Sequence, residues 1–180
     1  LTSGSTPAEK LMYPPWCLTL PQVRVSIPGI QKKSNLPSSA LKQLSLSHLH
    51  EMYNNHVHIY TDGSTTASGS GGAVVIPARG ITLRIKLSHV TTSTAAELAA
   101  LRGALEYIKS HRLSKWAVFS DSKPALQSMQ SVLRRGCHEQ LTYEVVKLLH
   151  HVTETGHEAK FQWLPGHYGI SGNDSADNAA

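Results

Sequence analysis

An α/β domain built on a mixed five-stranded sheet, three antiparallel strands followed by two parallel ones and flanked by helices, is the fold class this sequence predicts. Three observations lead there. Apolar alternation recurs over 56–62, 71–78 and 81–88 with only short connections between the runs, which is the pattern of an antiparallel meander. Two further apolar runs lie at 115–121 and 159–165. Segments of helical spacing precede both, so the second half of the chain reads as strand–helix–strand crossovers that return parallel.

Each element follows from its residues. His56-Val-His-Ile-Tyr-Thr-Asp62 alternates as a strand; GGAVVIPA and ITLRIKLS give two more, turning at Arg79-Gly80. A helix is predicted from about Thr94 to Ser110, where Glu97, Leu101 and Leu105 share one stripe. KWAVFSD is a short buried strand, SKPALQSMQSVL a helix, EQLTYEVVKLLHHVTE a longer helix, and AKFQWLP the last strand. Residues 1–55 differ in character. They hold Pro7, Pro14, Pro15, Pro21, Pro28 and Pro37, six of the nine prolines, and only residues 40–53 show helical spacing, through Leu41, Leu44 and Leu49. They read as a linker or connection segment with one short helix, ahead of a domain over 56–180.

Composition sets outer bounds. With 180 residues and 40% hydrophobic content the chain suffices for one core plus an extra segment. The first residue is Leu1 and the last are Asn178-Ala179-Ala180, so the sequence reads as a piece of a longer reading frame, truncated C-terminally. A formal charge of +5, with eleven histidines besides, favours a polyanionic partner. Cys17 and Cys137 form no CxxC pair, which argues against a disulfide framework or zinc ribbon and for a reducing intracellular setting, cytoplasm or nucleus. No apolar run is long enough to span a membrane, and no signal peptide is recognisable.

The chemistry lies in acids at the ends of elements. Asp62 is predicted to end the first strand and Asp121 the fourth, Glu97 opens a helix, and Asp174 and Asp177 lie in GNDSADNAA. Each has a local explanation: a hairpin turn at Asp62-Gly63, a capping box at Thr94-x-x-Glu97, an N-cap at Asp121 before Lys123-Pro124, a helix start at Asp174 or Asp177. None of these explains why the acids converge at one sheet edge, where sites of open α/β sheets form. Clustered carboxylates repel, and oxygen ligands without thiolate select Mg²⁺ or Mn²⁺ over zinc. Two such ions about 4 Å apart would clamp the attacking and leaving oxygens of a phosphodiester.

YTDGS at 60–64, AAELAAL at 95–101, FSDSKPAL at 119–126 and WLPGHYGISGNDSAD at 163–177 stand in the order and context of a type 1 ribonuclease H domain, which residues 56–180 resemble. The resemblance is nearest to the ribonuclease H-like domain of non-LTR (LINE-like) retrotransposon polyproteins. It implies hydrolysis of the RNA strand of an RNA/DNA hybrid with two Mg²⁺ ions, for which Mn²⁺ substitutes, and an upstream reverse transcriptase partner. By that resemblance Asp62 bridges both metals, Asp177 holds the ion that activates water, and Glu97 and Asp121 hold the ion at the leaving oxygen. His167 in Gly-His-x-Gly serves proton transfer or product release. Gly63, Ser64, Ser93, Thr94 and Asn173 contact the substrate, with 2′-hydroxyls identifying RNA.

The family's long basic protrusion is replaced by LRRGCHEQ at 133–140, and Ser93 stands where many members carry Asn. His150, His151 and His157 do not converge with Cys137 at helical spacing, which argues against zinc, and GSTTASGSGG lacks the Lys of a P-loop. An integrase or transposase shares the metal logic but not the Gly-His-x-Gly loop. A catalytically inactive, nucleic-acid-binding relic of a retrotransposon is the remaining alternative. Asp177 is expected in the first, weakly anchored turn of a closing helix.

Overall fold

A computed structural model describes residues 22–31, 35–135 and 139–180, without the side chains of 133–135. Cys17, Cys137 and the prolines up to Pro21 lie outside the described residues, as does part of the basic stretch 133–140. The strands are β1 (Val23–Arg24), β2 (Val57–Thr66), β3 (Gly69–Ile76), β4 (Ile81–Lys86), β5 (Lys115–Ser120) and β6 (Glu158–Trp163). The helices are α1 (Ser38–Tyr53), α2 (Ser93–Lys109), α3 (Lys123–Arg135), α4 (Gln140–Glu154) and α5 (Ser171–Ala179).

The sheet runs β1-β6-β5-β2-β3-β4. β2, β3 and β4 form the antiparallel meander, and β5 and β6 lie parallel to β2. Among the described residues the sheet therefore has six strands, not five. The extra one, β1, is two residues long and pairs parallel with β6 through Val23–Phe161 and Arg24–Gln162. A pairing that short carries no alternation of its own, and its partner lies far along the chain.

Parity sorts the helices onto two faces. Gly63 points at α2, whereas its neighbours Tyr60 and Asp62 point the other way, toward α5. α2, α3 and α4 pack together on the first face. α1 shares the second face with α5, because the Tyr53 ring meets Phe119 edge-on at 5.5 Å and Phe119 is in register with Tyr60. Central strand β5 is thus covered on both sides, which is why Trp116 to Ser120 read as a continuous rather than alternating run.

Leu41, Leu49 and Tyr53 of α1 are buried in the same core as Phe119 and Phe161. Such side chains contribute about 1.5–3 kcal/mol each when fully buried. Polar bonds lock the same helix: His48 Nε2 and the Tyr53 hydroxyl both reach Gln162 Oε1 at 2.9 Å. Gln162 in turn donates through Nε2 to the carbonyls of Ser26 and Trp163, at 3.0 and 2.9 Å. A buried amide satisfied on both ends fixes α1 against β6.

Candidate active site

β2 does not end at Asp62. It continues to Thr66, so HIYTDGST is strand throughout, and Asp62-Gly63 forms no hairpin turn. What ends is the pairing on one side: β5 stops after Ser120, opposite Thr61, while β3 accompanies β2 as far as Thr66. Asp62 is the first residue of β2 with no partner on its β5 side. Asp121, one residue past β5, reaches the same place from the neighbouring strand.

Glu97 arrives from α2 because Gly63 has no side chain. A Cβ at Gly63 would overlap the Glu97 amide nitrogen and the Ala96 carbonyl carbon, so only glycine lets the first turns of α2 descend onto β2. The helix cap is Thr92, whose Oγ1 accepts from the Ala95 amide at 3.1 Å. The capping box expected of Thr94 and Glu97 is not the one used. Ser122 in turn caps α3 by accepting from Ala125 N, so Asp121 is not spent on that bond.

One carboxylate oxygen each from Asp62, Glu97 and Asp121 lie within 4.8 Å of one another. Asp62 and Glu97 are each only 7% exposed. Burial first, then the charges of Asp121 and Asp177, push Asp62 up to about 7, against which His167 and the Gly63 backbone hydrogen bond pull back. Burial, then Asp62 and Asp121, push Glu97 up to about 9. Glu97 Oε2 is buried without a hydrogen-bond partner. Three hard oxygen donors, mutually repelling, with one donor atom unmet, fit a divalent cation such as Mg²⁺ or Mn²⁺.

The remaining residues surround this centre unevenly. Asp177 lies in the second turn of α5, not the first, which Asp174 occupies. It stands outside the tight trio but near enough to act on both Asp62 and Glu97. His167 Nδ1 is 3.2 Å from Asp177 Oδ2, and the imidazole is 74% exposed. His167 also holds a left-handed backbone, φ 63°, in the loop between β6 and α5. That loop passes over Asp121 at Gly166, where a Cβ would overlap the carboxylate. The end of α5 is tied down and not left loose: Ser64 Oγ donates to the Ala180 carbonyl at 2.8 Å, and Arg84 Nε to that of Ala179 at 3.3 Å.

Of the residues expected to meet substrate, Gly63 and Ser64 continue β2 beyond Asp62, while Ser93 and Thr94 open α2, Ser93 exposed and Thr94 half-buried. Asn173 is 2% exposed and faces inward with its Oδ1 unpartnered. Cations stand on the elements that flank the centre, in ways the sequence pattern does not announce. Arg84 stands in register with Ala73 and Asp62, and Lys86 with Gly71 and Ser64, on one face of the sheet. They border a groove of about 340 Å³ that Ser64, Ser70 and Ala180 also line. Lys123 sits on the other side, its ammonium 4.0 Å from the centroid of the Trp163 ring, whose indole N–H donates to the Asp121 carbonyl at 3.1 Å. Position next to Asp121 is the one signal that could have drawn attention to Lys123.

No helix among the described residues is long and apolar enough to cross a membrane. No curated protein matches the chain. The family model described as RNase H matches residues 54–180.

Proposed function

The chain belongs to the RNase H family, and from that premise we propose that it cleaves the RNA strand of RNA/DNA hybrids endonucleolytically with two Mg²⁺ ions, within the reverse-transcriptase polyprotein of a LINE-like retroelement. The observation that carries the reading is the buried trio Asp62, Glu97 and Asp121, oxygens within 4.8 Å and Glu97 Oε2 unmet. A scaffold would not keep so unfavourable an arrangement without a cation to complete it.

Asp62, Glu97 and Asp121 would hold the metal, with Asp177 as the fourth ligand. When bound, the divalent ions supply Lewis acidity at the attacking and leaving oxygens of the phosphodiester, leaving 3′-hydroxyl and 5′-phosphate ends. The chain's own groups do the rest. Burial of Asp62 and Glu97 lowers the local dielectric and so strengthens each charge that acts on the reacting phosphate. His167, exposed and paired with Asp177, is set to carry a proton between solvent and the site. Arg84, Lys86 and Lys123 supply positive charge along the sheet edge for a polyanionic backbone. Ser64 and the open first turn of α2 offer hydroxyls and amides to the sugar-phosphate chain and its 2′-hydroxyls.

The test is cleavage of a labelled RNA/DNA hybrid beside duplex RNA and duplex DNA, with and without Mg²⁺. Cleavage confined to the RNA of the hybrid and dependent on Mg²⁺ is expected. Cleavage of all three duplexes alike, or of none, would refute the assignment.

A further inference from the structure

α1 lies upstream of the residues that the family model matches, yet it runs up to the site. Its last residue, Tyr53, is anchored at the start of β2, where its carbonyl bonds His58 Nε2 at 2.8 Å. Eleven residues of helix back from Tyr53 to Lys42 rise about 16 Å. β2 covers about the same distance, roughly 17 Å, from Val57 to Asp62. Lys42 therefore stands level with the carboxylates. The side chain agrees with this estimate, since Lys42 Nζ lies 3.3 Å from where a Cβ on Gly169 would be.

Gly169 belongs to the loop that crosses Asp121 at Gly166 and carries His167 to Asp177. Lys42 is exposed and makes no ion pair among the described residues. The only acid on α1 is Glu51, at the helix's other end. α1 is also fixed in place, by the buried bonds of His48 and Tyr53 to Gln162. A cation held at that height, unneutralised and beside the loop, is placed to meet an anion arriving from solvent.

We infer that Lys42 is a substrate-positioning residue whose ammonium takes a backbone phosphate of the hybrid on the His167 side of the site. The inference rests on the proposed hybrid substrate and adds to it that the binding surface extends onto α1, outside the family-matched region. A purely structural role, in which the lysine stem packs on Gly169, predicts a different outcome.

In the full chain, Lys42→Ala and Lys42→Arg are compared with the unsubstituted protein for KM and kcat on labelled hybrid. Binding of that hybrid without divalent cation is followed against salt concentration, and thermal unfolding checks the fold. For Lys42→Ala a rise in KM of about 3- to 10-fold is expected, with the effect on KM and not on kcat, and a salt slope reduced by roughly one counterion. Lys42→Arg should restore both. Unchanged KM and slope in Lys42→Ala would overturn the inference, and so would a fall in kcat at constant KM, which would mean that Lys42 acts on the loop alone. Should the unsubstituted protein fail to cleave, the proposed function falls, while the salt slope of binding still decides the role of Lys42.

Discussion

The two ends of the central strands both carry clusters of charge, and they could hardly differ more. At the carboxyl end Asp62, Glu97 and Asp121 repel one another, two of them held far above the ordinary carboxylate range. At the amino end Glu158 gathers His56 at 3.2 Å, Lys160 at 2.9 Å and Lys115 at 3.7 Å. The Lys160 hydrogen bond, with that of His56, holds Glu158 below its usual value. Beside it, His157 Nδ1 accepts from the Trp116 indole at 3.1 Å. At the amino end the acid is matched by the chain's own cations, though His56 Nδ1 is buried without a partner; at the carboxyl end three acids face one another and Glu97 Oε2 has no partner. Charge density alone therefore does not mark a site, whereas acids gathered against one another do.

The largest effect should come from breaking the unmet cluster. Asp62→Asn keeps the shape and removes the central charge, and cleavage of the hybrid should fall by about three orders of magnitude or more. The same change relieves repulsion, so the thermal midpoint in the absence of divalent cation should rise. Cleavage within tenfold of the unsubstituted protein at saturating Mg²⁺ would contradict the metal assignment. On the proposed role of His167 as a proton carrier and not a ligand, His167→Ala should lower turnover by about 10- to 100-fold and leave measurable activity.

The amino end predicts a response in stability instead of rate. Burial pushes the imidazoles of His56 and His157 below their ordinary value. The unfolded chain then binds protons that the folded one refuses, so the contribution of these groups is full above about pH 6.5 and is lost as pH falls from there. Thermal midpoints measured from pH 8 to 5 should decline below that point, and less steeply in His157→Gln, which retains an acceptor for Trp116. A slope identical in the two proteins would remove His157 from the account. Smallest of all is Glu158→Gln, a partly exposed group. It should cost about 0.5 kcal/mol, the scale of surface pairs, with turnover unchanged.

Legibility in the sequence followed the range of the forces involved. β2, β4 and the helices were readable because alternation at 57–62 and the Glu97–Leu101–Leu105 stripe are local patterns that the sheet and core then use. The acids were readable because chemistry restricts their type. Caps were misread by a residue or two: Thr92 competes with Thr94 for the start of α2, and only the register set by Gly63 against Glu97 decides between them. β1 was invisible, since two residues in a proline-rich stretch become a strand only because Phe161 and Gln162 present an edge. Lys42 was invisible for a related reason. Its height beside Asp62 depends on a helix locked by Gln162, a residue 109 positions beyond Tyr53.

That separation also has a meaning in time. A ribosome adds about 5–20 residues per second, so Tyr53 waits roughly 5 to 20 s before Gln162 has even been made. Through that interval the inward side of α1, with Leu41, Leu49 and Tyr53, lacks β6, one of the strands it covers, and is open to chaperones or to wrong partners. Parallel pairing of β5 with β2 and of β6 with β5 delays closure further, because such contacts form only after long loops have been drawn in. Asp121 and Asp177 join Asp62 only at the end of this sequence of events. The acidic centre is therefore assembled late, only once β6 and α5 have been made and have docked on β2 and β5.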